Sequence, residues 1–325
     1  YMLKKRDLPF ARRSFAIASS FGFAAILSVI ILGDESGYEI GDIQKTKLAA
    51  IEAEWETQEP PADFTLIGFP DQEDMETHGA LKVPGVLGLI ATRSTTEEVK
   101  GIKDLLVEHE ERIHRGMEAY ALLEKMRAGD KSEPTIAAFD ALKDDLGYGL
   151  LLKKYTENVV DATDEQIKMA AKDSIPQVAP MFWTFRIMVG IGFLMLAMIA
   201  ISFWSSIRHN MEQKPWLLKA HLWAIPLPWI ACEMGWFVAE FGRQPWAIGE
   251  VLPTHLAVSS LTMTDLFLSL GSFIGLYTLL LVAEVYLMFK FGRMGPSALH
   301  TGRYHHEQNA SGASAAPAQA VKDPA

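Results

Sequence analysis

The chain has 325 residues, of which 49% are hydrophobic and 22% charged, and its formal net charge is −10. An acidic chain without a basic patch lacks the positive charge that nucleic-acid phosphates require, so nucleic acid is excluded as a partner. The single cysteine, Cys232, rules out an intrachain disulfide. It lies in an apolar run, and we interpret it as a small packed residue.

Four segments have the apolar length of about 20 residues that a helix needs to cross a bilayer. They are 14–32, 180–204, 216–241 and 266–289. The sequence therefore predicts an all-α integral membrane helical bundle, with lipid as its surroundings. Pro226 and Pro228 lie inside the third segment and predict a kink there.

The distribution of Lys and Arg predicts the orientation, because these residues concentrate on the cytoplasmic side. They precede the first span, lie between the second and third, and follow the fourth, whereas the connection 242–265 holds only Arg243. We therefore expect 1–13, 205–215 and 290–325 in the cytoplasm, and 33–179 and 242–265 outside it. The tail has little apolar content from about residue 308 and is predicted to be disordered.

The outer segment 33–179 is too long to be a simple connection. Apolar residues at helical spacing predict one helix over 42–57 and an amphipathic helix over 102–126. The stretch 59–84 is rich in Pro, Asp and Gly and is predicted to be irregular.

Ionisable residues inside a membrane span are costly and usually indicate function. Glu233, Trp236, Glu240 and Arg243 recur at spacings of three and four, which aligns them on one face of the third span. The Glu240 carboxylate suits three roles: a metal ligand, a proton carrier or an ion-pair partner of Arg243. We interpret His221, near the inner end of this span, as a packed or interfacial histidine.

The second span carries methionines every seven residues, at Met181, Met188 and Met195. Such spacing is typical of a packing stripe. A thioether is also an axial ligand of haem iron, so Met188 has a second interpretation. Arg186, two residues away, either pairs with a haem propionate or extends its charge to the membrane surface.

Gln44, Lys47 and Glu52 stand at the start of the outer segment. They provide a hydrogen-bonding amide, a cation and a carboxylate, which are the groups that orient a quinol and accept its protons. A solvated helix face has the same composition, so both interpretations stay open on pattern alone.

Longer runs of sequence carry a family resemblance. Residues 235–246, GWFVAEFGRQPW, continue into AIGEVLPTH, and residues 33–58 read GDESGYEIGDIQKTKLAAIEAEWETQ. Together with KPWLLKA, GLYTLLLVAE and TGRYHHEQ, these runs resemble cytochrome bd ubiquinol oxidase subunit I in its long quinol-loop form. The resemblance covers about residues 1–308.

The resemblance implies two haem sites in this chain. Met188 matches the axial ligand of the low-spin haem b, with Arg186 beside it. Glu240 matches the ligand of the high-spin haem b iron, Trp236 a tryptophan between the haems, and Arg243 a nearby basic residue. A third cofactor, haem d, belongs to the same enzyme.

The resemblance also implies a reaction and its partners. Lys47 and Glu52 match the quinol-site pair, to which we add Gln44. Ubiquinol or menaquinol would be oxidised at the periplasmic face of the bacterial inner membrane. Electrons would pass through the two b haems to haem d, where O2 becomes water, without proton pumping. Subunit II and small single-span subunits would complete the oxidase.

The family's subunit I has nine spans, and its first five have no counterpart here. The histidine partner of Met188 and the haem d ligand lie in that part, so we expect this fragment alone to be inactive. Two other functions fit four spans and an outer segment. A membrane sensor would need a cytoplasmic output module, for which the inner segments are short, whereas a haem-free scaffold subunit would show no haem spectrum.

Overall fold

The computed structural model describes residues 1–5, 7–94 and 96–294. The chain divides into two compact units, Tyr1–Val258 and Ser259–Ala325. In chain order the helices and strands are α1 (Leu8–Ile43), α2 (Lys45–Glu52), β1 (Phe64–Asp71), β2 (Glu76–Val83), α3 (Val86–Ala91), α4 (Ile102–Arg127), α5 (Glu133–Leu142), α6 (Leu146–Leu151), α7 (Asp164–Asp173), α8 (Val178–Ile207), α9 (Pro215–Trp223), α10 (Leu227–Phe241), β3 (Trp246–Ile248), β4 (Leu252–Pro253) and α11 (Met263–Met294). The tail predicted to be disordered from about residue 308 lies outside the described residues.

Among the described residues, α1, α8 and α11 are long and apolar enough to cross a membrane. The pair α9 and α10 makes a fourth span if it is taken together, and it is bent by 41°. The bend falls beside Pro226 and confirms the predicted kink, since proline cannot donate the backbone hydrogen bond of a straight helix. The predicted class, a helical membrane protein, is confirmed, while the membrane limits of each span stay predictions.

Helices α1 and α8 pack side by side in the first unit. The rings of Phe23 and Phe203 stack with centroids 5.1 Å apart. Ile199 packs on Gly22, since its side chain lies 3.5 Å from the position that a Cβ would take. Helix α1 runs past the predicted span end at 32, through a polar stretch to Ile43, and so leads directly into the outer segment.

The prediction of an irregular stretch over 59–84 was wrong. Strands β1 and β2 form an antiparallel hairpin in which Phe64 pairs with Val83 and Asp71 with Glu76. The Asp71 carboxylate accepts a hydrogen bond from the backbone N–H of Glu73, 2.8 Å away, and so closes the turn. The β-forming residues of Phe64–Phe69 outweigh the Pro and Gly content because the hairpin packs on α8.

The helix predicted over 42–57 is interrupted and shorter. Helix α1 ends at Ile43, and α2 ends at Glu52, where Ala53 adopts a left-handed conformation with φ 55°. Beyond it the backbone pairs with the start of α4, because Ile102 N–H donates to Glu54 O at 2.8 Å. Trp55 is nevertheless buried, in a core formed by residues of α2, α4, α8 and α10.

The amphipathic helix predicted over 102–126 is confirmed as α4, with Ile102, Leu105 and Ile113 buried. In its C-terminal half, α4 packs against α6 with direct contact between the two backbones. A Cβ at Gly149 would lie 2.5 Å from the carbonyl carbon of Gly116 and 3.1 Å from its Cα. Two facing glycines therefore set the spacing of these helices.

Substituting Gly149→Ala should destabilise the outer segment by about 1–3 kcal/mol, because the new methyl group overpacks against backbone that cannot move aside. The measurement is protease sensitivity of the outer segment in the detergent-solubilised protein, which rises as the segment opens. Gly37→Ala is the matched control. It lies in α1 with nothing within 4 Å of the added Cβ, so it should leave the sensitivity unchanged or lower it. Equal behaviour of the two variants would contradict the glycine contact.

Candidate functional site

The outer segment reaches the end of α10 through Lys47. The aliphatic stem of this residue crosses Gly242, where an added Cβ would lie 2.9 Å from Lys47 Cε and would overlap Met181 Cε. Lys47 is only 8% exposed. Glycine at 242 is therefore what allows a lysine of α2 to lie on the end of a membrane helix.

Glu240 and Arg243 form an ion pair at the same end of α10. Burial lowers the pKa of the Lys47 ammonium, and the nearby charge of Arg243 lowers it further, while Glu240 opposes both. The structure thus brings three of the predicted site residues together. The ion pair with Arg243 is one of the three roles considered for Glu240. The role of Glu240 as a metal ligand stays a prediction.

Arg186 and Glu52 form a second, more deeply buried ion pair. Arg186 Nη2 lies 2.9 Å from Glu52 Oε2, and their side chains are 9% and 4% exposed. The guanidinium also donates to Ile51 O at 2.8 Å and to Thr65 O at 3.1 Å, and it stacks on the Phe182 ring. Arg186 is thus fully engaged between α8, α2 and β1, and it does not extend its charge into solvent.

Burial raises the pKa of the Glu52 carboxyl to about 7, although the charge and hydrogen bond of Arg186 oppose the rise. The pKa of Glu54, two residues on, is also raised, mainly by burial. A carboxyl with a pKa near 7 exchanges its proton at neutral pH, which is the property of a proton acceptor and donor.

Met188 lies on α8 facing α10. Its sulfur is 3.0 Å from the position that a Cβ of Gly235 would take, so this glycine makes room for the thioether. The face of α10 that carries Trp236, 63% exposed, and the half-exposed Glu240 is not covered by described helices of this unit. Thioether and carboxylate are both ligand types for iron, so the donor set fits the two predicted haem irons.

Two other residues of this region were interpreted from sequence. His221 packs as predicted, with Nε2 2.6 Å from Ser202 Oγ and its ring against Phe15. The interpretation of Cys232 as a packed residue was wrong, because it is exposed in the described chain. It lies on the same face of α10 as Trp236, which no described helix of the first unit covers.

A cavity of about 440 Å³ opens between α2, α4, α6 and the segment after α10. Gln44 and Lys47 line it together with Arg243, whereas Glu52 lies outside it. The structure therefore places two of the three predicted quinol residues in one cavity large enough for a small ring compound. Glu52 shares α2 with Lys47 but faces α8.

Sequence reasoning missed several polar residues of this cavity, namely Thr46, His109, Arg112, Tyr148, Ser174 and Glu250. Arg112 donates to Glu250 at 2.9 Å and to Asp145 at 2.6 Å, and Tyr148 OH donates to Glu250 at 3.1 Å. No spacing pattern signals these residues, since they come from α2, α4, α6, the end of α7 and the segment after α10. Only the fold brings them together.

The fold and the site define a class: a helical integral membrane protein whose outer segment brings ionisable side chains onto the end of a membrane helix. The chain belongs to the family of cytochrome bd terminal oxidase subunit I, whose family model matches residues 1–296. This confirms the resemblance seen in the sequence.

Two curated relatives show the extent of the similarity. The chain is 46% identical over 308 residues to cytochrome bd-II ubiquinol oxidase subunit 1 of Escherichia coli strain K12, covering 95% of this chain and 60% of that protein. It is 27% identical over 290 residues to cytochrome bd ubiquinol oxidase subunit 1 of Bacillus subtilis strain 168, covering 89% of this chain and 50% of that protein. The chain thus spans between half and three fifths of these relatives' length.

The Glu52 carboxyl should make stability depend on pH. Its pKa rises from 4.5 to about 7 on folding, so the folded state holds the proton more tightly. Its contribution to the free energy of unfolding is therefore fully present below pH 4.5 and is lost as the pH rises through 7, on the order of 3 kcal/mol in all.

Glu52→Gln should remove this part of the pH dependence, as measured by unfolding of the purified protein between pH 4.5 and 8. Glu54 contributes a part of its own, because burial also raises the pKa of that carboxyl. Glu56→Gln, at an exposed neighbour, is the control and should retain the full dependence. An unchanged slope in Glu52→Gln would show that this carboxyl does not titrate in that range.

Proposed function

We propose that this chain forms the quinol-oxidising and haem b-binding part of a terminal quinol:oxygen oxidoreductase of the bacterial inner membrane. The observation that carries the proposal is the meeting of Lys47 with Glu240 and Arg243 across Gly242. Lys47, which is suited to bind a quinol oxygen, and Glu240, whose carboxylate is suited to bind iron, then lie at the same end of α10. Both relatives are named as ubiquinol oxidase subunits, which supports the substrate class.

In this proposal Gln44 and Lys47 bind and orient the quinol ring in the cavity. The Lys47 ammonium and the Arg243 guanidinium both line it, so they place positive charge where a ring oxygen gains negative charge as its proton leaves. Glu52 belongs to the same reaction through its pKa near 7, which lets it exchange a proton at working pH. Its partner Arg186 holds it beside α8.

The haem assignments rest on the donor set. Met188 would hold the low-spin haem b, with Arg186 beside it, and Glu240 the high-spin haem b, with Trp236 next to it on the same face of α10. Gly235 supports the first assignment because it leaves space at the Met188 sulfur. The uncovered polar face of α10 supports the second, since carboxylates inside a span do not face lipid. Haem d would sit elsewhere in the complex.

When bound, the haems supply one-electron chemistry that carries electrons from quinol through the two b haems and haem d to O2. The residues of this chain bind quinol, hold its protons and position the irons. With the outer segment on the periplasmic side, as the Lys and Arg distribution predicts, quinol protons leave outside. Protons for water enter from the cytoplasm, so charge separates across the membrane without proton pumping.

Subunit II and small single-span subunits complete the assembly, and ubiquinol or menaquinol is the electron donor.

Met188→Leu in the intact oxidase should abolish the low-spin haem b absorption, because leucine keeps the volume and removes the sulfur ligand. Reduced-minus-oxidised spectra of the purified complex measure this. Met195→Leu, one heptad along the same helix, is the matched control and should keep the spectrum. Unchanged absorption in Met188→Leu would refute the ligand assignment, and a wild-type complex without haem absorption would favour a scaffold subunit instead.

Lys47→Ala should lower kcat/KM for quinol by about tenfold or more, equal to about 1.4 kcal/mol of lost transition-state stabilisation, and leave all haem spectra intact. Oxygen consumption driven by quinol and the spectra of the same preparation provide both readouts. Lys103→Ala is the control, since Lys103 pairs with Glu56 away from the cavity. Loss of the haems in Lys47→Ala would mean that this lysine has a structural role.

A further inference from the structure

A buried histidine lies in the wall of the cavity that Gln44 and Lys47 also line. His109 of α4 is buried, and its two ring nitrogens have different partners. Nδ1 lies 2.6 Å from Ser174 Oγ, and Nε2 lies 3.3 Å from Thr46 Oγ1. Thr46 is half-buried, and all three residues line the cavity. A chain of hydrogen bonds therefore runs from the cavity through a hydroxyl to an imidazole.

The hydrogen bonds of Ser174 determine which nitrogen of His109 carries the proton. Ser174 Oγ donates its only hydrogen to Ala171 O at 2.6 Å, so toward His109 it must accept. Nδ1 therefore carries the hydrogen and donates it to Ser174, which leaves a lone pair on Nε2. The Thr46 hydroxyl consequently points its hydrogen at Nε2, and its oxygen lone pairs stay available to a ligand in the cavity.

Burial and the nearby charges keep His109 neutral before turnover. Burial and, to a smaller extent, the charge of the Arg112 guanidinium together lower the pKa of His109 to about 4, against the opposing charges of Glu250 and Glu108. The Tyr148 ring lies against the imidazole, with centroids 5.2 Å apart. At neutral pH, Nε2 is thus a vacant proton site, and it releases a proton readily once it has accepted one.

We propose that Thr46 accepts the proton of a quinol hydroxyl bound in this cavity and passes its own proton to His109 Nε2. The inference rests on the proposed function and adds a proton relay to the same site. Thr46 touches the substrate. His109 acts through Thr46, as a positioning residue that orients the hydroxyl and holds the proton for a short time.

The step balances in atoms and electrons. The quinol O–H bond breaks and its proton bonds to Thr46 Oγ1, as the former Thr46 proton bonds to Nε2 and the imidazole becomes an imidazolium. The quinol thereby loses one proton and one electron, and the ferric haem iron that the proposed function supplies would take up the electron. The second hydroxyl, at the far end of the ring, would lose its proton to solvent and a second electron to the same oxidant, which completes the quinone. After the quinone departs, the proton returns through Thr46 to water, because the rim residues Asp42, Lys45 and Glu250 are exposed to solvent.

The test compares Thr46→Val, which keeps the shape and removes the hydroxyl, with Thr46→Ser, which keeps the hydroxyl. Both are made in the intact oxidase. Turnover is measured with ubiquinol and with tetramethyl-p-phenylenediamine, an electron donor that releases no proton when it is oxidised. Quinone affinity is measured separately by equilibrium titration of the purified complex.

For Thr46→Val we expect the ratio of the ubiquinol rate to the diamine rate to fall at least about tenfold in kcat, with quinone affinity changed less than about threefold. Thr46→Ser should restore the ratio to within about threefold of wild type. His109→Gln, which hydrogen-bonds but does not accept a proton, should reproduce the Thr46→Val result, and it replaces that variant if Thr46→Val fails to assemble.

Three results would overturn the relay: a ubiquinol to diamine ratio that stays at the wild-type value in both Thr46→Val and His109→Gln, a loss that appears only in KM and quinone affinity, or a loss that Thr46→Ser does not rescue. These results differ from failure of the proposed function itself. In that case the wild-type complex would lack haem absorption or would not oxidise ubiquinol.

Discussion

Glu52 and Arg186 place opposite charges in a buried position between the outer segment and α8. Removing two charges from water costs several kcal/mol each, and their attraction offsets this only with good geometry and further hydrogen bonds. Arg186 has these further hydrogen bonds, since its remaining donors bind the carbonyl oxygens of Ile51 and Thr65. For Glu52 the cost of burial still exceeds the attraction, which is why the pKa of its carboxyl is raised to about 7. The pair therefore joins α2, β1 and α8 at one point. With α2 held there, Lys47 lies on Gly242 and Thr46 faces His109.

The main features of the fold were predictable because they depend on local sequence. Hydropathy over about 20 residues located the candidate spans, and Pro226 located the bend between α9 and α10. The apolar spacing of α4 predicted its length closely. The hairpin of β1 and β2 was missed because its stability comes from packing on α8. The early end of α2 was also missed because it depends on a distant segment. The backbone carbonyl of Glu54 accepts a hydrogen bond from the N–H of Ile102, far along the chain.

In the candidate site, too, some residues were predictable from the sequence and others were not. Family motifs indicated Lys47, Glu240 and Arg243, and the structure brings these three to one end of α10. The polar wall of the cavity was not predictable. Thr46 and His109 are 63 positions apart, and Arg112 and Glu250 are 138 apart. Contacts at such separation leave no periodic signal in one sequence, because nothing in the local pattern of either segment depends on the other.

Gly242 has a consequence for how segments can be exchanged between relatives. The space that it leaves is filled from two directions, by Met181 of α8 and by Lys47 of α2. A larger residue there would have to displace both side chains, and the displaced lysine would draw the outer segment away from the membrane helices. A chimera that takes its outer segment from one oxidase and its spans from another must therefore transplant positions 47, 181 and 242 as a matched set.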